Sequence, residues 1–260
     1  MNNFLNNGYV ILRNAINKKL VKDIQNTVFE SLNLKKNKNY NSFLNAAIKT
    51  KKNNFDFTLP FHKKFIDLEI YSKICKQKKI ISFLKDNLGS DLCHHDDPSI
   101  TLNTSNKNSF KQNYHFKNWH QELWSGASIS TIALWSPIFH LNSQMGQIEF
   151  IKGSHLWGHV PHKNREVEQL PKKFEVFKTN LNYGDVVLFH ALTMHRTSKL
   201  ISKKISAKLS IVSHVKNFKI NDYAFNRNKN WRIFYTSDLT KVEKKLGNHY
   251  LSPYRTKKLD

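Results

Sequence analysis

In the stretch NWHQELWS, residues 118–125, His120 and Glu122 stand one residue apart between two tryptophans. Imidazole and carboxylate are both metal-binding groups, and on an extended chain residues i and i+2 project from one face, so the pair can reach one cation. The spacing alone is weak. A chain of 260 residues with 13 histidines and 19 acidic residues contains about one His-x-acid triplet by chance. This chain has three, the others being His94/Asp96 and His95/Asp97. Context separates them. CHHDDPS runs into Pro98, where Asp-Asp-Pro favours a turn, and adjacent histidines on an extended chain face opposite ways, so His94 and His95 would serve separate sites. His120 and Glu122 are the metal candidates.

A third ligand must come from another strand of the same sheet. His195, at the end of GDVVLFHALTMHRTS, follows a strongly apolar run introduced by a Gly-Asp turn and is the best candidate. His190 lies inside that run and reads as a core or supporting histidine. Two histidines and one carboxylate on one face of an octahedron leave three positions for a chelating cosubstrate and oxygen, the arrangement of non-haem Fe(II) oxygenases. Zinc hydrolase chemistry would more usually offer His-Glu-x-x-His on a helix, which the sequence lacks.

The elements that must position these residues are of two kinds. YVILR (9–13) reads as a strand, and Asn17 then precedes Leu20, Ile24, Val28 and Leu32 at helical spacing. Residues 35–55 are polar and broken, a surface loop or lid. A second helix is expected over 68–88, ended by Gly89. From about residue 98 the chain turns to short β-type runs: ISTIALW (129–135), QIEFI (147–151), DVVLFHAL (185–192) and AKLSIVSHV (207–215), separated by turn residues. Helices first and antiparallel strands later give an α+β, mainly β protein with a jelly-roll body. Residues 217–260 read as a basic, polar tail, and the chain as one domain.

Composition bounds the rest. With 39% hydrophobic and 12% aromatic residues the chain can bury a substantial core. No apolar run reaches the roughly 18 residues of a membrane span, and MNNFLNNGYV has no signal-peptide character. A soluble, cytoplasmic protein is expected. Cys75 and Cys93 are too few for a disulfide framework and lack zinc-site spacing. The net charge of +23 invites a nucleic-acid reading, but the lysines are scattered from Lys18 to Lys258 without an Arg-rich arm. An anionic small-molecule substrate fits this charge better than a phosphate polymer.

The succession GYVILRNAI, WHQE, ALWSPI, GQIEFIKGSH and GDVVLFHALTMHRTS resembles the phytanoyl-CoA dioxygenase-like branch of the Fe(II)/2-oxoglutarate-dependent oxygenases, over roughly residues 4–215. The resemblance implies a double-stranded β-helix, cupin-like, with flanking N-terminal helices. It implies His120, Glu122 and His195 as iron ligands, with 2-oxoglutarate and O2 as cosubstrates. It also places Gln121, Trp135 and Thr197 near the cosubstrate. Trp135 could equally be core and Thr197 a turn residue. Gly153, Ser154 and His155 match the family's Gly-Ser-His turn, where the histidine reads as structural.

Two departures stand out. Most of the family has Asp where this chain has Glu122, one methylene longer. A halogenating relative would replace the carboxylate by a small residue to admit chloride, so Glu122 argues for hydroxylation or a related oxidation. The family's arginine for the far carboxylate of 2-oxoglutarate is also missing. Lys208 falls near its place, with Lys204 as fallback, and a lysine supplies the charge without the guanidinium fork.

The expected reaction is hydroxylation of an unactivated C–H bond in a small, anionic or sugar-like metabolite. Tyr114, His115, Lys117 and Trp124 are candidate substrate contacts. Two alternatives share the fold: a nucleic-acid dealkylating oxygenase, and a catalytically silent β-helix binding protein that has lost the cosubstrate anchor. The sequence does not give the oligomeric state.

Overall fold

The computed structural model describes residues 2–31, 69–95, 99–104, 118–125, 127–141, 146–163, 166–198, 207–220 and 231–246. The expected loop at 35–55 lies outside the described residues.

The chain opens with α1 (Asn2–Asn7), β1 (Tyr9–Leu12) and α2 (Lys18–Ser31). Asn17 caps α2: its Oδ1 accepts from the Leu20 N–H at 2.8 Å, filling a donor the first helical turn leaves open. The single helix expected over 68–88 is two, α3 (Ile70–Cys75) and α4 (Lys78–Leu88). The break falls at Gln77, which is extended (φ −61°, ψ 137°). Its side-chain oxygen accepts from both the backbone N and the Nδ2 of Asn17, at 3.2 and 2.9 Å, so the interruption ties α4 to the start of α2. Gly89 ends α4 with φ +80°.

Strands β2 (Leu92–His95), β3 (Ser99–Thr104), β4 (Ile132–Pro137), β9 (Val186–His190), β11 (Ala207–Asn217) and β12 (Trp231–Tyr235) join β1 in one antiparallel sheet. Its order is β1-β9-β4-β11-β2-β12, with β3 also paired to β11. A smaller sheet is built from β5 (Ile148–Ile151), β8 (Val176–Lys178) and β10 (His195–Thr197) in the order β10-β5-β8, and β6 (His162–Lys163) pairs with β7 (Glu166–Val167). This is the jelly-roll, cupin-like β-sandwich. Two expectations need correction. Residues 92–95, ahead of the β core expected from about residue 98, already form β2, all four buried. The basic tail contains β12 and a helix, α5 (Asp238–Leu246), and Phe234 of β12 packs into the core.

The central strands β4 and β9 of the larger sheet are buried on both faces, and strand alternation sorts the side chains. Ile132, Leu134, Val186, Leu188, Ile211 and Val215 pack with the helices. Ala133, Trp135, Val187, Phe189 and Val212 pack with Ile148, Phe150 and Phe177 of the smaller sheet. The second layer ends at the rim where β10 begins, beside the candidate metal ligands.

Candidate metal centre

His120 and His195 are held against each other by one antiparallel bridge. His120 N donates to His195 O at 3.1 Å and His195 N to His120 O at 3.0 Å. The extended stretch expected around His120 is no longer than this bridge. At Glu122 the chain enters a short 3-10 turn, Glu122–Ser125, because the Glu122 N–H is taken by Ala191 O at 2.9 Å. Two backbone anchors, one at each ligand, thus replace the regular strand and still bring the side chains together.

The ligand atoms of His120, Glu122 and His195 all lie within 4.8 Å of one another, and all three residues are buried. His195 Nε2 stands 3.0 Å and His120 Nε2 3.7 Å from Glu122 Oε1. Each imidazole donates its Nδ1–H to a carbonyl near its own backbone, His120 to Asn118 O and His195 to Thr193 O, both at 2.9 Å. A carbonyl oxygen can only accept, so in the neutral ring the Nε2 lone pair is the one left facing the carboxylate. Two lone pairs and an anionic oxygen converging in a buried space repel unless a cation stands among them. Fixing a ligand's tautomer through its other ring nitrogen is how metal-binding histidines are oriented. The donor set therefore fits a divalent metal, and its two imidazoles and one carboxylate suit Fe(II).

A fourth side chain enters from β11. His214 Nε2–H donates to Glu122 Oε2 at 3.0 Å. His214 was missed at the level of sequence. The available signal was a polar residue on the face of a β-type run that alternates Ser210, Val212, His214. Behind it, His95 of β2 lies with its ring centroid 6.2 Å from that of His214 and 5.5 Å from that of Trp231. His94 faces the other way, its Nε2 2.8 Å from Ser72 Oγ. The adjacent histidines do project to opposite sides, and neither joins the metal cluster.

Gln121, expected near the cosubstrate, spends its side-chain amide on backbone groups. Its side-chain N–H groups donate to Gly158 O and Leu192 O at 2.8 and 2.7 Å, and its Oε1 accepts from Val160 N at 3.0 Å. Lying between two ligands, it fastens two backbone segments, 158–160 and the turn at Leu192. Trp135 belongs to the layer between the sheets with Phe150, and Phe150 in turn lies 6.1 Å from the His195 ring. Thr197 follows His195 at i+2 on β10, paired with Ile148 and partly buried. Lys208 pairs through its backbone with Asn103. The side chains of Lys208 and Trp124 are not among those described, and Tyr114, His115, Lys117 and Lys204 lie outside the described residues.

The Gly-Ser-His turn is structural in its contacts. Ser154 Oγ donates to Ile151 O at 2.7 Å and accepts from Met194 N at 2.9 Å, bracing the turn before His195. His155 Nε2–H donates to Leu5 O at 3.0 Å. His190 accepts the Leu192 N–H at its Nδ1, and burial together with the nearby His155 pushes it down to about 4. Cys75 and Cys93 are buried and unpaired, and burial raises their thiols to about 12 and about 11.

A jelly roll holding two histidines and a carboxylate at its rim defines a non-haem iron oxygenase of the 2-oxoglutarate-dependent class. Residues 4–207 match the family model described as Phytanoyl-CoA dioxygenase (PhyH), and the chain belongs to that family. Iron and 2-oxoglutarate are accordingly its cofactor and cosubstrate.

Similar solved structures include ThoJ, a non-heme monooxygenase (14% identity, TM-score 0.61, 91% of this chain and 84% of that one). They also include SnoN, an epimerase in complex with Fe3+, alpha-ketoglutarate and nogalamycin RO (12%, 0.54, 83% and 81%). A third is SnoK, an alpha-ketoglutarate-dependent carbocyclase from nogalamycin biosynthesis (11%, 0.53, 89% and 94%). At these identities they speak for the fold alone. No curated protein matches the chain in sequence. No described helix is long and apolar enough to cross a membrane.

Proposed function

We propose that this protein hydroxylates an unactivated C–H bond in a small, anionic or sugar-like metabolite. The observation that carries the reading is the buried convergence of His120, Glu122 and His195 on one point. The carboxylate is present rather than replaced by a small residue, which favours hydroxylation over halogenation. The net charge of +23 favours an anionic substrate. Bound iron would supply the oxidising chemistry, together with 2-oxoglutarate and oxygen.

The chain's own residues bind and exclude. His120 and His195, oriented by their carbonyl partners, would hold the metal with Glu122, and their burial keeps bulk water from the reacting centre. Lys208 is proposed to anchor the far carboxylate of 2-oxoglutarate, with Lys204 as the fallback. In support, Lys208 lies on β11 at the same alternation as Val212 and His214. Thr197 is proposed to meet the cosubstrate from β10, and Trp135 to back it. Tyr114, His115, Lys117 and Trp124 remain the proposed substrate contacts. Residues 1–260 are read as one catalytic unit, and the buried, unpaired thiols suit a cytoplasmic setting.

Anaerobic titration with Fe(II) and then 2-oxoglutarate tests this reading. The wild type should develop the visible metal-to-ligand charge-transfer band, Glu122→Ala should lose it, and Lys208→Ala should require much more 2-oxoglutarate. Absence of the band in metal-loaded protein would overturn the oxygenase reading in favour of a silent binding protein. SnoN and SnoK catalyse epimerisation and carbocyclisation on this fold. Mass analysis of the product, seeking one added oxygen, therefore tests hydroxylation separately.

A further inference from the structure

A histidine nitrogen stands at each oxygen of the Glu122 carboxylate. His195 Nε2 approaches Oε1 at 3.0 Å, while His214 Nε2 approaches Oε2 at 3.0 Å from a different sheet. His195 and His120 have placed their Nδ1–H on backbone carbonyls, so in the neutral rings their Nε2 atoms carry the lone pairs a metal would take. His214 is placed differently: its Nε2 stands against the second oxygen, Oε2, which as a carboxylate oxygen accepts its N–H. We infer that His214 is a positioning residue that fixes Glu122 as a one-oxygen ligand, holding Oε2 so that only Oε1 serves the metal.

The proposal accounts for the length of the carboxylate side chain. Glu122 begins a 3-10 turn whose backbone is fastened to Ala191, while His214 stands on β11 of the larger sheet. The carboxylate must span from the rim at His195 to that strand, and the extra methylene of Glu supplies the reach. A carboxylate bound through both oxygens occupies two coordination positions. Held by His214 it would supply one oxygen, leaving room beside it for a ligand from solution. A hydrogen bond to a ligand carboxylate also fixes its orientation before the metal arrives, and losing such a partner typically weakens metal binding ~10–100-fold.

This inference rests on the proposed iron site, and its test separates the two. Anaerobic Co(II) binding is measured by calorimetry and by the visible d–d spectrum, which reports coordination geometry without turnover. Wild type, His195→Ala, His214→Ala, His214→Gln, Glu122→Asp and the Glu122→Asp/His214→Ala double variant are compared.

His214→Ala should bind about tenfold more weakly, with an altered spectrum. His214→Gln, whose amide N–H can occupy the place of Nε2–H, should recover most of the affinity and the wild-type spectrum. On the Glu122→Asp background, where the carboxylate no longer reaches β11, His214→Ala should change affinity less than about twofold. Wild-type behaviour in His214→Ala, or a Gln variant as weak as the Ala variant, overturns the clamp. A His195→Ala variant that still binds Co(II) as tightly as wild type would instead overturn the metal site itself.

Discussion

Gly8 and His155 touch so closely that a β-carbon added to Gly8 would stand 2.5 Å from the His155 Nδ1 and 2.6 Å from Thr193 Oγ1. Gly8 also has φ +81°, and its carbonyl accepts from both His190 N and Thr193 Oγ1, at 2.9 and 2.8 Å. Thr193 in turn carries the carbonyl that orients His195. The residue before β1 thus backs a metal ligand in the distant β10.

Gly8→Ala should therefore destabilise the fold by about 2–4 kcal/mol, combining left-handed backbone strain with overpacking. Because Thr193 is displaced along with His155, the variant should also bind Co(II) more weakly. Urea unfolding and metal calorimetry on the same preparation check both parts. A stable variant with unchanged metal affinity would show that the turn at Gly8 yields without disturbing His195.

Gln121 offers a substitution of nearly identical shape. A glutamate in its place cannot donate to Gly158 O and Leu192 O and would set a carboxylate against two carbonyl oxygens in a buried position. Gln121→Glu should cost ~3 kcal/mol or more at neutral pH. Thermal unfolding of this variant beside Gln121→Ala measures it, and a Gln121→Glu protein as stable as wild type would contradict the clamp geometry.

Metal should stabilise the fold through linkage. Co(II) at a free concentration of about 100 times its dissociation constant should add about 2.7 kcal/mol to wild-type stability. At that same concentration His195→Ala and Glu122→Ala should gain far less, and a chelator should reverse the wild-type gain. A melting temperature indifferent to metal in the wild type would speak against a preformed site.

Acid sensitivity is expected at His190, packed beside His155. Burial and His155 hold its folded pKa at about 4, against 6.5 for the ordinary group. Between these values the unfolded chain binds a proton that the folded chain refuses, so stability is unaffected above about pH 6.5 and falls as pH drops toward 4. The full loss is of the order of 3 kcal/mol. His155, also lowered by burial, acts in the same direction. His190→Asn, whose side-chain oxygen can still accept from Leu192 N, should flatten this slope. Urea unfolding at pH 7 and pH 4.5, compared between the two proteins, measures the difference.

Much of the protein was determined by local sequence. The continuous apolar runs at residues 132–135 and 186–189 read as strands buried on both faces, Asn17 and Gly89 mark helix ends through their own chemistry, and His120 and Glu122 carry metal-binding groups two positions apart. His195 was legible because an apolar strand delivers it to a rim.

What only the tertiary structure decided are the partnerships between distant segments. Whether Gln121 faces the site or the backbone depends on where Gly158, Val160 and Leu192 lie, and nothing near Gln121 in sequence states it. Residues 92–95 become a strand because β11 and β12 flank them, against the local pull of the turn residues that follow. His214 had no local sign of its role, since a histidine in an alternating strand gains a function only from what stands opposite. Here that is a carboxylate 92 positions earlier, brought within hydrogen-bond distance by sheet register and by one bridge between His120 and His195.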